Sequence, residues 1–184
     1  MGQTFERVHG VEKVGVDIAN PRGLAGVVIT SSDEFFAREH APFDVIFVDG
    51  LHSYEQSWKD AAGALRVLAP GGVLLLHDCN PLSATAALPF DEQDPGGVWN
   101  GQVFNTADRL RQSEGIELFT VDTDFGVAIA QQTGLVKLLE HYQPLSYRQF
   151  ARRRVEHLDL RPIDAYERWL TELPPIAARC GDPS

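Results

Sequence analysis

The sequence lacks the features that mark several specialised protein classes. Its two cysteines, Cys79 and Cys180, form no Cys-x-x-Cys pair, which argues against a disulfide framework and a cysteine zinc site. No apolar run reaches the roughly 20 residues that span a bilayer, and residues 1–10 contain no apolar stretch flanked by positive charge, as a signal peptide would. We therefore expect a cytoplasmic protein with no membrane partner.

Basic residues are scarce as well. The chain has 16 Lys and Arg against 26 Asp and Glu, a formal net charge of -10, and this sign repels phosphate backbones. The basic cluster Arg152–Arg154 is followed by Glu156 and Asp159, and we interpret it as a solvated helix face. Nucleic acid is therefore not an expected partner.

The 184 residues do contain an alternation of short β-rich runs with helical stretches. This alternation favours an α/β fold with a parallel sheet covered on both faces, in one domain. The third and fourth runs are almost unbroken in Val, Ile, Leu and Phe, as expected of strands buried on both faces. The last two runs flank a turn and predict an antiparallel hairpin. The predicted strands are Lys13–Asp17, Val27–Ile29, Asp44–Asp49, Gly72–Asp78, Leu118–Val121 and Val127–Ala130.

Helix signals lie between and after these runs. Ser53 with Gln56, and Ser31 with Glu34, have the spacing of capping boxes, and Ala69–Gly72 would end the helix that begins at Ser53. The connection from the first predicted strand to the second is too short for a full crossover helix, so a loop or single turn is expected there. Further helices are predicted at Leu135–His141, Ser146–Leu158 and Pro162–Leu173.

These elements suggest a core over residues 1–132 and a C-terminal helical extension over residues 133–184. Residues 80–100 are rich in Pro and Gly, and a loop of that length inside a compact domain is usually a lid or a binding loop. Tyr166 and Trp169, on the last predicted helix, are candidate contact residues of a homo-oligomer.

Polar residues follow the predicted strands at the carboxyl ends, where open parallel sheets bind ligands. Asp17 has a carboxylate that could accept from both hydroxyls of a ribose, although it also suits a solvated turn before Asn20. Ser32 and Asp33 suit contacts to an adenine ring, and equally an ordinary helix N-terminus. Acid or imidazole at four strand ends predicts a shared site.

Asp49 and Asp78 end neighbouring buried strands, so their carboxylates are expected to lie close together. Two anions at short distance raise each other's pKa unless a cation lies between them, and Mg²⁺ with oxygen ligands is a natural one. His77 would add a metal ligand or orient one. The alternatives are one protonated carboxyl group, or helix N-termini that supply the missing donors.

His52 follows Asp49 on the turn before the helix that begins at Ser53. An imidazole titrates near neutral pH and is suited to take a proton from a hydroxyl group. The alternative is a capping partner for the helix. The acids nearby favour the first interpretation.

Three segments together resemble the class I S-adenosylmethionine-dependent methyltransferases, and more narrowly the branch with cephalosporin-hydroxylase-like and macrolide sugar O-methyltransferases. They are Phe43–Glu55, with its Asp-Gly-x-His-x-Tyr element, Leu68–Gly72 and Leu76–Pro81. The similarity covers roughly residues 2–130.

The resemblance implies a Rossmann-like, mostly parallel sheet of strand order 3-2-1-4-5-7-6 with strand 7 antiparallel. It implies ribose contact by Asp17 and adenine contact by Ser32 and Asp33. It places the catalytic base at His52, with Asp49 and Asp78 as catalytic partners. The implied cofactor-binding positions are Gly2, Asp17, Ser32, Asp33, Asp49, Gly50 and Leu51, and the implied Mg²⁺ ligands are Asp49, His77 and Asp78.

The chain departs from this family at two places. His77 replaces an acid of the pair that holds the metal. The first strand of the family, with its glycine motif, is absent, and Gly2 matches the last glycine of that motif. Its loss from the sheet centre would leave buried backbone groups unpaired, at about 1–3 kcal/mol each. Either upstream residues are missing, or the second and fourth strands pair directly.

The function expected from this resemblance is methyl transfer from S-adenosylmethionine to a small-molecule acceptor, through a hydroxyl group. A second interpretation is a non-catalytic or degenerate methyltransferase-like module that acts in assembly. A third, a nucleotide-binding oxidoreductase, lacks support because no Gly-x-Gly-x-x-Gly motif lies between a strand and a helix.

Overall fold

The computed structural model describes residues 3–10 and 12–173, so the predicted cofactor contact Gly2 lies outside the described residues. The chain divides into two compact units, Met1–His40 and Ala41–Ser184. The described strands form two sheets, one of two strands and one of five. Along the described residues no helix is both long and apolar enough to cross a membrane.

The first unit contains α1 (Gln3–Arg7), β1 (Gly15–Asp17), β2 (Val27–Ile29) and α2 (Ser32–Phe36). Strands β1 and β2 are parallel, with Asp17 opposite Ile29. Their connection contains turns and no helix, as its length predicted. The predicted capping box is confirmed, because Ser31 accepts from the backbone N–H of Glu34 and the Glu34 side chain accepts from the backbone N–H of Ser31.

The second unit contains a five-stranded sheet of order β3-β4-β6-β5-β7. Strand β6 is antiparallel to both of its neighbours, and the other two pairs are parallel. The order β3-β4-β6-β5 is the one implied for strands 4-5-7-6, and the predicted α/β fold with a mostly parallel sheet and an antiparallel hairpin is confirmed. The strands are β3 (Phe43–Val48), β4 (Leu68–Leu76), β5 (Glu114–Val121), β6 (Val127–Lys137) and β7 (Leu160–Arg161), and the helices are α3 (Tyr54–Val67), α4 (Val103–Arg111), α5 (Tyr147–Arg152), α6 (Arg154–Leu158) and α7 (Ile163–Glu172).

Strand β4 is buried on both faces of the sheet, as predicted, whereas much of β3 is exposed, so the prediction that β3 is buried on both faces is wrong. On one face, Val73 of β4 belongs to a core cluster against which Tyr166 and Trp169 of α7 pack. Because side chains alternate along a strand, Leu74 and Leu76 project from the other face, where they are also buried. The two aromatic residues expected at an oligomer contact therefore pack within their own chain.

The passage from α3 to β4 follows the predicted helix stop, but it takes the form of a bulged strand. Helix α3 ends at Val67 and β4 begins at the next residue. The pairing of β4 with β3 is irregular between Leu68 and Val73, where Gly71 has a φ of 74°. Gly72 has no room for a side chain, since a Cβ would lie 3.0 Å from the carbonyl oxygen of Asp44. The glycines thus let β4 pair with β3 directly after the helix.

The helix predicted at Leu135–His141 is wrong, because β6 continues through Lys137, which lies opposite Glu114 of β5. Cross-strand pairing decides the conformation of such a segment more than its own propensity does. The other two helical predictions are confirmed, with one interruption at Arg153, where α5 gives way to α6. The short strand β7 was not predicted and pairs with β5.

A buried polar cluster ties the chain after β6 to helix α4. Asp108 of α4 is 4% exposed. Its carboxylate accepts from the Tyr142 hydroxyl at 2.8 Å and from Gln112 Nε2 at 2.9 Å, and it lies 2.9 Å from Nδ1 of His157. Arg109 of the same helix donates to the carbonyl oxygen of Leu139. Residues from 139 to 157 are thus fixed to the core through one turn of α4.

Candidate functional site

Two parallel strands bring the candidate catalytic residues together in the second unit. Strand β3 ends at Val48 and β4 ends at Leu76, and these two residues lie opposite each other in the ladder. The backbone N–H of His77 donates to the carbonyl oxygen of Val48 at 3.0 Å. Asp49 therefore follows one strand at the point where His77 and Asp78 follow the other.

His77 lies between three carboxylates. Its Nδ1 is 3.0 Å from Asp78 Oδ2 and 3.3 Å from Asp49 Oδ1, and its Nε2 is 3.2 Å from Asp124 Oδ2. Because carboxylates only accept, both ring nitrogens carry a hydrogen and the ring is an imidazolium. Hydrogen bonds to Asp49 and Asp78 raise the pKa of His77 to about 11. In return, hydrogen bonds from His52 and His77 hold the pKa of Asp49 well below its usual range.

His52 presents one ring nitrogen to the acids and the other to the backbone. Its Nδ1 lies 3.2 Å from the carbonyl oxygen of Trp99, and because a carbonyl oxygen only accepts, Nδ1 carries the hydrogen. Nε2 lies 3.2 Å from Asp78 Oδ2 and 3.6 Å from Asp49 Oδ1. Burial lowers the pKa of His52, but the hydrogen bond to Asp49 and the charge of Asp78 outweigh it, so the net change is a rise.

The predicted binding loop lies against this histidine. Residues 80–102, called the site loop from here on, contain only one short 3-10 turn, at Phe90–Glu92. At the end of the loop the ring of Trp99 stacks on that of His52, with centroids 4.9 Å apart. Asn100 Nδ2 donates to Asp78 Oδ1. The site loop therefore contributes to the cluster that holds the two candidate catalytic partners.

Gly101 packs directly against His52, with a φ of +60° that side chains rarely adopt. A Cβ at this position would lie 2.7 Å from His52 Cβ and closer still to its carbonyl oxygen. We expect Gly101→Ala to destabilise the protein by about 2–4 kcal/mol in urea unfolding, from backbone strain and overpacking. Gly97→Ala, in the same loop, is the control, because a Cβ there meets only ordinary contacts with Asp94. Equal effects of the two substitutions would contradict this account.

Strained backbone surrounds the cluster. Asp78 has a φ of 59°, and Asp124 and Phe125, in the turn between β5 and β6, have φ values of 44° and 59°. The turn is joined to the start of the site loop, since the backbone N–H of Asn80 donates to the carbonyl oxygen of Phe125 at 2.7 Å. Non-glycine residues keep such conformations only when their surroundings impose them, and they concentrate at functional sites.

The donors do not suit the metal site predicted at Asp49, His77 and Asp78. An imidazolium has no lone pair to give to an ion, and His77 Nδ1 already contacts Asp49 Oδ1 and Asp78 Oδ2. Among the described residues, Asp49, His52 and Asp78 also form a group whose potential ligand atoms all lie within 4.8 Å of one another. An ion there would compete with His77 for the same oxygens and would occupy Nε2 of His52. Mg²⁺ is therefore not supported by the donor chemistry.

The remaining predicted cofactor residues are on both units. In the first unit, Asp17 Oδ1 accepts from the backbone N–H of Ala19 at 3.1 Å, which leaves Oδ2 without a partner among the described residues. Ser32 and Asp33 form the first turn of α2. In the second unit, Gly50 and Leu51 lie on the turn between β3 and α3, where Leu51 is 44% exposed.

Three contributors to the cluster were not predicted as site residues. Trp99 and Asn100 were placed only at the end of a loop, and Asp124 only in a hairpin turn. The signal that could have singled out Asp124 is the tolerance of Asp for left-handed backbone in a tight turn before glycine. A Trp-Asn-Gly sequence at the end of a long loop carries no such signal, because its partners are distant in the chain.

Comparison with known proteins gives one finding. Residues 6–79 match the family model described as methyltransferase domain. No curated protein matches the chain. The matched segment runs through β1, β2, β3 and α3 to the end of β4, and it includes Asp49, His52, His77 and Asp78. This part of the chain is thus similar to methyltransferases.

Proposed function

We propose that this protein is a class I S-adenosylmethionine-dependent methyltransferase that methylates a hydroxyl group of a small molecule. The similarity of residues 6–79 to a methyltransferase domain supports the reaction class. The observation that carries the choice of a hydroxyl acceptor is the geometry of His52. Its Nδ1 donates to the carbonyl oxygen of Trp99, so Nε2 is the atom that gains and loses the proton, and once protonated it can donate to Asp78 Oδ2, 3.2 Å away.

In the proposed reaction His52 is the general base. S-adenosylmethionine, when bound, would supply a methyl group on a sulfonium, and the C–S electron pair would remain on the sulfur of the thioether product. Nε2 of His52 takes the hydroxyl proton while the acceptor oxygen bonds to the methyl carbon. Asp78 stabilises the imidazolium that forms, and the hydrogen bond and positive charge of His77 help to keep Asp49 ionised. No step uses a metal ion.

For the cofactor contacts we keep the residues implied by the resemblance. Asp17 would accept from ribose hydroxyls through Oδ2, since Oδ1 is bound to its own turn. Ser32 and Asp33 would contact adenine from the first turn of α2. Gly50 and Leu51 would add contacts next to Asp49. Each is tested by the loss of affinity for S-adenosylhomocysteine in its alanine variant.

The first experiment is calorimetric titration of the protein with S-adenosylhomocysteine. Micromolar binding, followed by transfer of labelled methyl from S-adenosylmethionine to members of a panel of sugars and polyketides, would support the proposal. Running the transfer with Mg²⁺ and with EDTA tests the metal directly. A requirement for Mg²⁺ would mean that an ion displaces His77. Absence of binding in a cooperatively folded protein would favour the alternative of a non-catalytic methyltransferase-like module.

The pH dependence of the reaction should follow His52. Because the acids raise its pKa above the ordinary value of about 6.5, the base form is lost as pH falls through that higher pKa. We expect kcat/KM to rise with pH and the midpoint to lie above 6.5. Asp78→Asn removes a charge that raises this pKa, so its midpoint should move to lower pH. Asp122→Asn, at an acid that is not bonded to His52, is the control, and a midpoint unchanged by Asp78→Asn would contradict the assignment.

A further inference from the structure

The end of the site loop contacts both members of the His52–Asp78 pair at once. The carbonyl oxygen of Trp99 lies against His52 Nδ1, and the next side chain, Asn100, donates through Nδ2 to Asp78 Oδ1. Asn100 is 1% exposed and sits in a fixed backbone, because its N–H donates to the carbonyl oxygen of Ala86 at 2.8 Å. The amide therefore cannot follow a movement of the Asp78 carboxylate.

The two oxygens of Asp78 have different partners. Oδ1 accepts from Asn100, while Oδ2 faces His52 Nε2 at 3.2 Å and His77 Nδ1 at 3.0 Å. Rotation of a carboxylate about its terminal torsion is broad and roughly two-fold. Without a donor at Oδ1, only the two imidazoles at Oδ2 would hold the carboxylate, which could then turn about its terminal torsion and shift Oδ2 relative to His52 Nε2. The direction of the Asp78 charge thus depends on Asn100.

The oxygen of the Asn100 side-chain amide also indicates that Asn100 serves to hold Asp78. Its Oδ1 is buried and has no hydrogen-bond partner within the described part of the chain. A buried polar atom left unpaired costs about 1–3 kcal/mol, and such atoms call for an explanation. Since a carboxylate only accepts, the amide must turn its NH₂ group to Asp78 and leave its oxygen unpaired. A simple packing role would be met without that cost by a residue with no polar atoms.

We propose that Asn100 is a positioning residue of the active site, which acts through Asp78 to align the charge that stabilises protonated His52. This inference rests on the proposed role of His52 as the base. With this role, the end of the site loop takes part in proton transfer, in addition to the covering of the acceptor that is expected of a lid. The residue touches neither acceptor nor cofactor in this account.

The chain offers a matched control at the other end of the site loop. Asn80 is also 1% exposed, its Oδ1 is also buried and unpartnered among the described residues, and its Nδ2 donates to an aspartate, Asp122, at 3.0 Å. Asp122 is not bonded to His52. Substitution of Asn80 therefore removes the same kind of hydrogen bond at equal burial, without releasing Asp78.

The test is the proton NMR signal of the His52 Nε2–H group, observed at pH 6 where the ring is protonated and bonded to Asp78. We expect the downfield signal in the wild type and in Asn80→Ala, and its loss in Asn100→Ala. In labelled methyl transfer to an acceptor from the panel, Asn100→Ala should lower kcat and leave KM for S-adenosylmethionine unchanged.

Asn100→Leu and Asn80→Leu nearly keep the side-chain size, supply no donor, and repeat the comparison if the alanine variants unfold. A signal that persists in the Asn100 variants, that disappears equally in the Asn80 variants, or that is absent from the wild type overturns the inference. The NMR readout does not need turnover. A wild type that shows the signal but transfers no methyl group would therefore refute the proposed function and leave the positioning of His52 by Asn100 standing.

Discussion

His52→Ala should lower the rate of methyl transfer by about 10²–10⁴-fold, the usual contribution of a general base, and leave the affinity for S-adenosylhomocysteine nearly intact. The reason is that the proposed reaction needs a lone pair at Nε2 of His52. Among the described residues, His52 is the only one whose ring contacts both the carbonyl oxygen of Trp99 and the carboxylate of Asp78. Single-turnover transfer of labelled methyl, with calorimetry on the same preparation, measures both quantities.

The control for this substitution is His141→Ala, because His141 is an exposed histidine of the same unit. It should have the rate and the affinity of the wild type. If His52→Ala loses cofactor affinity in proportion to its rate, the ring serves binding, and the assignment of a base is wrong. If the rate is unchanged, the hydroxyl proton goes elsewhere.

Asp108→Ala should be the most destabilising substitution outside the site. It leaves Nδ1 of the half-buried His157 without its carboxylate and removes one of two acceptors from the Tyr142 hydroxyl, while the exposed Gln112 keeps a bond to the Asp108 backbone carbonyl. At about 1–3 kcal/mol for a buried group left unpaired and about 1 kcal/mol for a further lost hydrogen bond, we expect a loss of about 2–4 kcal/mol in the free energy of unfolding. For a chain of this size that corresponds to a fall in Tm of roughly 10 °C.

Thermal and urea unfolding measure this loss of stability, and two further variants serve as comparisons. Asp108→Asn keeps one acceptor and should lose less stability than Asp108→Ala. Asp91→Ala removes an exposed acid and should leave Tm unchanged. A small effect of Asp108→Ala would show that residues 139–157 are held to the core by their other contacts, among them the bonds from Arg109 to Leu139 and the packing of the fully buried Phe150.

The sequence was most informative where strand pairing alone decides the geometry. Unbroken apolar runs before Asp49 and Asp78 predicted two neighbouring strands, and parallel pairing then places their ends together. Burial was predicted correctly only for the second of them, because Val45 and Phe47 of β3 are 58% and 37% exposed. The contacts of Asn100 and Trp99 could not be predicted this way, because they join residues 22 and 47 positions apart through a loop without periodicity. The segment Leu135–Lys137 was mistaken for a helix because its strand conformation depends on β5, not on its own residues.

The way in which the site loop is fastened has a consequence for how such a protein can change over evolution. The loop is held at its start by the bond from Asn80 to Phe125 and at its end by the bond from the Gln102 N–H to the carbonyl oxygen of His52. Between these anchors Leu82, Phe90 and Val98 are more than half exposed. Substitutions of these exposed side chains leave the anchors in place, whereas the buried Ala86 is constrained because its carbonyl oxygen accepts from the N–H of Asn100. If the proposed function holds, new acceptors can thus be accommodated by substitution of exposed loop side chains while His52 and Asp78 stay in place.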